Sequence, residues 1–346
     1  MTTSSHYRSG LLILILCILC TGCLPSSCRR IEPQAISPSD SLSRSIAANI
    51  IADTLSDPLI LRETELKYPR TILFGPDNHM YVSDTETGRI FGFSSGATMS
   101  QSYQLPNIRF PYLAGWISDT LVVFDPDAHE FHFVVDSISV STIRIEQVPL
   151  HSLQYVLAHE SHLYHKAVTR DSIHVLQVVD YSGKQINEAI LYGSSWAHAG
   201  LLRHHNDQLV SLSGFYPWAL TWSKDLIHGP DTLRWMGFDS PMLRRTYAFD
   251  QGGGRGAPLI TSSSVPVDDL WFVLNQRTGW IRIDVYDLNG HIQNILVEAA
   301  KHYHRQFNPT DLAVQLDEHG VYHIAVALIG SDPSIRIYHW NPTHSS

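Results

Sequence analysis

The chain has 346 residues, of which 44% are hydrophobic, so it is long enough and apolar enough to bury a full core. It carries 24 basic and 33 acidic residues, which gives a formal net charge of −9, and no basic run exceeds two residues. Binding to phosphate backbones requires clustered Lys and Arg, so this charge balance argues against nucleic acid as a partner.

The first residues predict export. Leu11–Leu19 is a nine-residue apolar run, which suits the hydrophobic region of a signal peptide and is too short to span a bilayer as a helix. The stretch "CTGC" follows at residues 20–23. Its last three residues resemble the lipobox of bacterial lipoproteins, in which a small residue and Gly precede a Cys that is acylated. Cys20 departs from this pattern, because the family usually has Leu there.

The lipobox resemblance implies that residues 1–22 are a signal peptide and that Cys23 becomes the lipidated first residue. Its acyl chains would hold the protein to a bilayer with about 0.8 kcal/mol for each buried CH₂. An ordinary cleaved signal peptide is the alternative. Leu24, rather than Asp, follows Cys23, and by resemblance to proteobacterial sorting rules this points to the outer membrane. We therefore expect a lipid-anchored protein of the cell envelope.

A tether and a cysteine-free domain follow. Residues 23–56 are rich in Ser and Pro and are expected to form the tether, with a short helix possible within residues 43–55. All four cysteines lie in the first 28 residues. The domain at 57–346 is therefore expected to use neither disulfides nor thiolate chemistry.

A repeated pattern begins at residue 68. "YPRTILFGPDNHMYVSDTETGRIFGF", residues 68–93, reads as strand, turn, strand, polar corner and strand. "FNPTDLAVQLDEHGVYHIAVALIGSDPSIRIYHW", residues 307–340, repeats this order, and looser copies lie between them. In register, the equivalent positions are 70, 112, 155, 198, 259 and 310, separated by 42, 43, 43, 61 and 51 residues. Each step is long enough for four short antiparallel strands.

These repeats predict an all-β chain, a six-bladed β-propeller of four-stranded antiparallel blades over residues 57–346. Only six residues follow the last strand-like run, which ends at Trp340. The run "LILRETEL", residues 59–66, is therefore expected to fill the outer edge of the last blade, so that an N-terminal strand closes the ring. A β-sandwich or a pair of β domains is the alternative.

The first repeat carries a family resemblance. Its Pro69, Asp77, "YVSD" at 81–84, "GRI" at 88–90 and Phe93 resemble an NHL repeat, which forms blades of β-propellers. Over nearly all of 57–341 the chain resembles the NHL-like and TolB-like six-bladed propeller lipoproteins of Bacteroidetes-type bacteria, although the motif is clear only in the first and last blades. The resemblance implies fold and export and little about chemistry, because propellers host binders, lactonases, lyases and structural modules.

The inner strand of each blade lines the central channel, so the register names a ring of candidate ligand-binding residues. These are Arg70, Tyr112, Tyr155, His198, Leu259 and Thr310, with Asp311 one step on. Arg70 would pair with an anion, and the two tyrosines would form amphipathic walls. The alternative is that these residues bond only to one another and to channel water.

Metal and cofactor sites find less support. His159, His162 and His165 are three residues apart, so a strand would turn them to opposite faces. Calcium takes 6–8 oxygen ligands, whereas the ring offers one carboxylate, Asp311. The glycine-rich stretch 252–257 lacks a preceding buried strand and a following helix, so it is not a dinucleotide motif. We expect no metal and no cofactor.

The sequence thus favours non-catalytic binding of a protein or small ligand by an exported, membrane-anchored propeller. The alternatives are a metal-dependent hydrolase or lyase of the lactonase-like propeller type and a scaffold in an envelope complex.

Overall fold

The computed structural model describes residues 38–50, 52–63, 65–76, 78–94, 96–146, 148–171, 173–253, 256–299 and 306–342. The predicted signal peptide, the lipidated Cys23 and the start of the tether lie outside the described residues. Those described belong to one compact unit, Ser37–Ser346. In this part of the chain, every helix is too short or too polar to cross a membrane.

Six meanders and two short leading strands make up the described chain, together with three helices. The helices are α1 (Pro38–Ala48), α2 (Ser195–His198) and α3 (Leu243–Asp250). The leading strands are β1 (Ala52–Thr54) and β2 (Leu59–Leu61). The first meander contains β3 (Pro69–Phe74), β4 (Met80–Asp84), β5 (Arg89–Phe93) and β6 (Met99–Tyr103). The second contains β7 (Tyr112–Ile117), β8 (Thr120–Asp125), β9 (Glu130–Val135) and β10 (Ile138–Arg144).

The later meanders follow the same plan. The third contains β11 (Leu153–His159), β12 (His162–Val168), β13 (Ile173–Val179) and β14 (Gln185–Tyr192). The fourth contains β15 (Leu202–His205), β16 (Gln208–Leu212), β17 (Trp218–Ser223) and β18 (Asp231–Arg234). The fifth contains β19 (Thr261–Val267), β20 (Leu270–Asn275), β21 (Arg282–Asp287) and β22 (Ile292–Val297). The last contains β23 (Phe307–Leu316), β24 (Tyr322–Gly330) and β25 (Ser334–Trp340).

Consecutive strands of a meander pair antiparallel, and the two leading strands extend sheet edges. β1 adds in parallel to β22, and β2 adds antiparallel to β25, which places Leu59 opposite Ile337. A single parallel bridge between Gly115 and Ala158 joins the second and third meanders into one eight-stranded sheet. The first strands β3, β7, β11, β15, β19 and β23 lie against one another in that order, and β23 lies against β3. The prediction of an all-β propeller built from small antiparallel sheets is thus confirmed.

The strand sequences explain which positions are buried. β4 and β8 are apolar along most of their length because both faces of a middle strand pack against other residues. The outer strand β10 instead exposes most of its residues, among them Ile138 and Val140. Asp84, at the end of β4, accepts backbone N–H groups of Lys67 and Tyr68 on one oxygen and of Glu86 and Thr87 on the other. The aspartate of the repeat motif therefore satisfies donors at a corner.

Part of the predicted tether is ordered on the propeller. Ser43 of α1 accepts a hydrogen bond from the Gly237 backbone N–H at 3.2 Å. Ile46 and Ile50 pack against the cluster that contains Trp235. The helix expected within residues 43–55 begins earlier and ends at Ala48, because the chain then pairs with the open edge of β22.

The sequence register is wrong in the fourth and fifth repeats. His198 is the last residue of α2, and the inner strand begins four residues later at Leu202. Leu259 precedes β19, which starts at Thr261. The physical reason is that a helical turn precedes the inner strand of the fourth repeat and an irregular segment precedes that of the fifth. Counting residues from one repeat to the next does not reveal such insertions.

Candidate functional site

The first strands of the meanders surround a central cavity of about 210 Å³. Its polar lining includes Arg70, Tyr112, Tyr155, Arg203 and Asp311. Four of these were predicted as ligand-binding residues from the sequence, and the structure brings these four together. Their role as ligand contacts stays a prediction. The apolar lining comes mainly from β3, β7, β11 and β23, so the cavity has a polar end set within aliphatic walls.

Arg70 lies at an irregularity in β3. The strand pairs Pro69 with Asp84 and Thr71 with Ser83, so Arg70 has no partner of its own in the ladder. Such a bulge changes the direction in which a side chain points, and bulges are common beside functional sites. The sequence folds this way here because Pro69 has no N–H to donate to a regular ladder.

Arg70 faces two phenols. Its Nε donates to the Tyr112 hydroxyl at 3.3 Å, and its guanidinium carbon lies 5.8 Å from the centre of that ring. Burial raises the pKa of Tyr155 to about 12, although the nearby Arg70 opposes the rise. Tyr155 can therefore donate its phenol proton in a hydrogen bond at neutral pH. No carboxylate among the described residues forms an ion pair with Arg70.

Asp311 is fully engaged inside the protein. Its Oδ1 accepts from the Ser263 hydroxyl at 2.6 Å, from Arg203 Nη2 at 3.1 Å and from the Leu312 N–H at 2.9 Å. Its Oδ2 accepts from the Ile72 N–H at 3.1 Å. The residue is 2% exposed. Asp311 thus ties together β3, β15, β19 and β23, and this bonding accounts for the buried carboxylate without a ligand.

Arg203 is the cavity residue that sequence reasoning missed. It lies on β15, and its Nε donates to the Ser264 carbonyl at 2.7 Å while Nη2 reaches the Ser263 hydroxyl at 3.0 Å. Together with the bond to Asp311, these contacts hold the guanidinium in place. The signal was the inner-strand position of Arg203 in the fourth repeat, which the misplaced register at His198 concealed.

His198 is the predicted site residue that the structure places elsewhere. Its Nε2 lies 3.0 Å from the Tyr192 carbonyl, and its ring centre lies 5.0 Å from that of His174. Burial lowers the pKa of His198. His198 therefore does not line the cavity, because α2 carries it away from the inner strands.

Thr310 is a further member of the predicted ring. It donates its hydroxyl hydrogen to the Pro69 carbonyl at 2.8 Å.

A buried amine stands behind Tyr155. Lys166 on β12 is fully buried, its Nζ donates to the Ser211 hydroxyl at 2.8 Å, and the same atom lies 4.8 Å from the centre of the Tyr155 ring. Burial lowers the pKa of Lys166 well below its ordinary value. The lining itself carries two guanidinium groups and, among its described members, one carboxylate. The cavity is therefore electropositive.

Metal ligands do not converge in the described part of the chain. No group of three or more His, Cys, Asp and Glu side chains there has the geometry to hold an ion. His159 and His162 pair across a hairpin, and His165 is buried at 1% exposure. His302 and His304 lie outside the described residues. A calcium ion in the cavity would find one carboxylate, already bonded on both oxygens.

The fold has known structural counterparts. A streptogramin B lyase superposes with a TM-score of 0.51 at 9% identity, covering 81% of this chain and 86% of that one. A regucalcin from Agrobacterium tumefaciens, described as a calcium-binding protein, gives 0.52 at 12% identity over 84% and 96%. A Bacteroides fragilis protein assigned as exported gives 0.51 at 10% over 82% and 95%. No family model and no curated protein sequence matches the chain. Identities this low show the fold alone.

Proposed function

We propose that this propeller is a non-catalytic binding protein whose central cavity takes a small organic anion, held by Arg70 between Tyr112 and Tyr155. The observation that carries the proposal is the contrast between two arginines in one cavity. Arg203 is neutralised by Asp311, whereas Arg70 has a phenol as its only hydrogen-bond partner among the described residues. A half-buried guanidinium that lacks a carboxylate is suited to an anionic group.

The size and lining of the cavity restrict which anions can bind. A volume of about 210 Å³ suits a small ligand. The walls beyond the polar end include Leu73, Val156 and Leu312. A carboxylate that carries one compact apolar group fits this division, because the charge meets Arg70 while the apolar part leaves water.

Calorimetry with benzoate, acetate and inorganic phosphate tests the proposal on the full chain in mild detergent. Benzoate should bind, and benzamide, its neutral counterpart, should bind at least tenfold more weakly. Arg70→Gln should lower the affinity for benzoate at least tenfold, since charge-assisted hydrogen bonds contribute about 1.5–3 kcal/mol. Arg62→Gln is the matched control, because Arg62 is about half exposed and pairs with Asp332 on the surface.

Two results would contradict anion binding at Arg70. One is equal affinity of the Arg70→Gln variant and the unchanged protein for benzoate. The other is failure of all three anions to bind the unchanged protein. The hydrolase or lyase alternative is less well supported, because Asp311, the one carboxylate among the described lining residues, already accepts four hydrogen bonds.

Export and anchoring form a second part of the proposal. The apolar run and "CTGC" support a lipoprotein with an acylated Cys23, a tether and a place in the cell envelope, at the outer membrane. Intact-mass measurement on membrane fractions should find acyl chains, and Cys23→Ser should lose them and release the protein from the membrane. A cleaved, unacylated chain would refute the anchor.

The third part concerns the architecture. We propose six blades in the NHL-like and TolB-like manner, with β2 closing the ring on the last one. Support comes from the contacts between consecutive first strands around the ring and from the pairing of β2, which precedes the first meander, with β25 of the last meander. The eight-stranded sheet then counts as two blades that share one bridge. Ile60→Pro, which distorts β2, should lower the melting temperature, and an unchanged value would argue against closure.

A further inference from the structure

A second cavity, of about 360 Å³, lies between the first and second meanders. None of its lining residues belongs to the central cavity. Tyr112 begins β7 in the central cavity, whereas Asp119, in the lining of the second, follows the end of the same strand. Gly115 of the central lining and Trp116 of the second lining are consecutive in β7, so the two cavities are adjacent along this strand and share no lining residue.

Three aromatic side chains form the wall of this second cavity. Tyr81 on β4 and Trp116 on β7 meet edge to face, with ring centres 5.0 Å apart and an interplanar angle of 67°. Tyr103, the last residue of β6, completes the set. Tyr81 is 7% exposed and Trp116 is half-buried. The packing between blades therefore holds these rings, so the aromatic wall exists before any ligand arrives.

Two aspartates at the cavity stand on tight hairpin turns. Asp119 follows Ser118, whose φ is 51°, in the two-residue turn between β7 and β8. Asp136 and Ser137, with φ of 48° and 67°, form the turn between β9 and β10. Positive φ at these positions is typical of primed hairpin turns, which have little freedom. The backbone of the two turns therefore fixes the point from which each aspartate side chain extends.

The charges of this lining are all of one sign. Both aspartates are exposed, and neither has a hydrogen bond or ion pair from its carboxylate to another described residue. No Lys, Arg or His is among the described residues that line the cavity. The Ser137 hydroxyl is directed to Gln101 Oε1 at 3.4 Å. The two carboxylates would repel an anion and attract a cation.

We infer that this second cavity binds a small organic cation, an alkyl-substituted ammonium group, against Tyr81, Tyr103 and Trp116 with Asp119 and Asp136 as counter-charges. The negative faces of aromatic rings attract such a cation, and its alkyl groups leave water on the same surface. The site is separate from the one proposed at Arg70, so each can fail without the other.

Choline is the probe, and 3,3-dimethylbutan-1-ol is its neutral counterpart of the same shape. Calorimetry on the full chain in mild detergent should show choline binding and at least tenfold weaker binding of the alcohol. The double variant Asp119→Asn/Asp136→Asn should lose at least fivefold in choline affinity, and Trp116→Leu should lose at least tenfold. Asp127→Asn is the control, since Asp127 is an exposed residue of the β8–β9 turn outside the lining.

Each result decides for or against the site. Choline affinity that falls in the Asn double variant, whose melting temperature stays near that of the unchanged protein, would support it independently of how Trp116→Leu folds. Equal affinity for choline and the alcohol would overturn it, because the pocket would then be recognising shape alone. Full choline affinity in the double variant, or no choline binding at concentrations of about 50 mM, would also overturn it. None of these outcomes changes the benzoate result expected at Arg70.

Discussion

Acidification should destabilise this protein through His165. The ring is 1% exposed, its Nε2 lies 3.0 Å from Gln154 Oε1, and its centre lies 5.7 Å from that of Phe124. The pKa of His165 is lowered to about 3, mainly by burial and also by the nearby His129, while a hydrogen bond with Gln177 opposes the shift. The pKa of a histidine in an unfolded chain is about 6.5, which is about 3.5 above the folded value for His165.

The sign of the effect follows from this difference. As the pH falls below about 6.5, the unfolded chain takes up a proton at residue 165 and the folded protein does not, so unfolding becomes more favourable. Above that pH both states hold a neutral ring and the contribution is constant. Between pH 7 and pH 5 the loss of unfolding free energy from this one residue is about 2 kcal/mol.

Urea unfolding of the unit Ser37–Ser346 at pH 7 and pH 5 measures the loss. His165→Gln will change the packing at both pH values, but it removes the titrating group. The unchanged protein should therefore lose about 2 kcal/mol more than the variant across this interval. His319→Gln should follow the unchanged protein, since the His319 side chain is 77% exposed. If His165→Gln and the unchanged protein lose the same free energy, the reasoning about a neutral buried ring is refuted.

Three further substitutions test the packing around the cavity by thermal and urea unfolding. Asp311→Asn leaves the Arg203 side chain, which is 14% exposed, without a counter-charge and should lower the free energy of unfolding by about 3 kcal/mol. A change under about 1 kcal/mol would contradict the structural role of Asp311. Gly115→Ala places a Cβ 2.3 Å from the Ala158 carbonyl oxygen, at a residue whose φ is 146°. It should therefore lower the free energy of unfolding by at least about 2 kcal/mol, whereas the control Gly96→Ala should not. Equal effects of the two substitutions would contradict the close approach at Gly115. Lys166→Met removes a buried amine with one hydroxyl partner and should raise the melting temperature, and a fall would show that the amine stabilises the fold.

The sequence predicted residues of the central cavity correctly in the repeats whose spacing is regular. Arg70, Tyr112 and Tyr155 are separated by steps of 42 and 43 residues. Spacing of this kind predicts equivalent positions in neighbouring blades, and Arg70 and Tyr112 are in fact hydrogen-bonded. The motif aspartate at position 84 was equally visible, because a corner with several free N–H groups needs an acceptor at a fixed place.

The register failed where the chain departs from the repeat. Helix α2 has four residues, too few to show a helical period, and it displaces His198 from the inner strand. The partner of Asp311 was hidden for another reason. Arg203 precedes it by 108 residues, and nothing in either local pattern says that the two side chains meet. Pairing across a ring depends on where whole blades lie, which spacing within one blade does not encode.

For the same reason, the sequence alone could not show which charged residues of the cavity pair with one another. Arg70 and Arg203 both lie on inner strands in the structure, and the sequence does not say which of them pairs with Asp311. The structure assigns the carboxylate to Arg203, with the Ser263 hydroxyl holding the same oxygen at 2.6 Å. Once that oxygen is occupied, Arg70 has phenols beside it rather than an acid. Because Asp311 pairs with Arg203 in the same lining, the uncompensated positive charge of the cavity lies on Arg70, and a ligand anion is what would neutralise it.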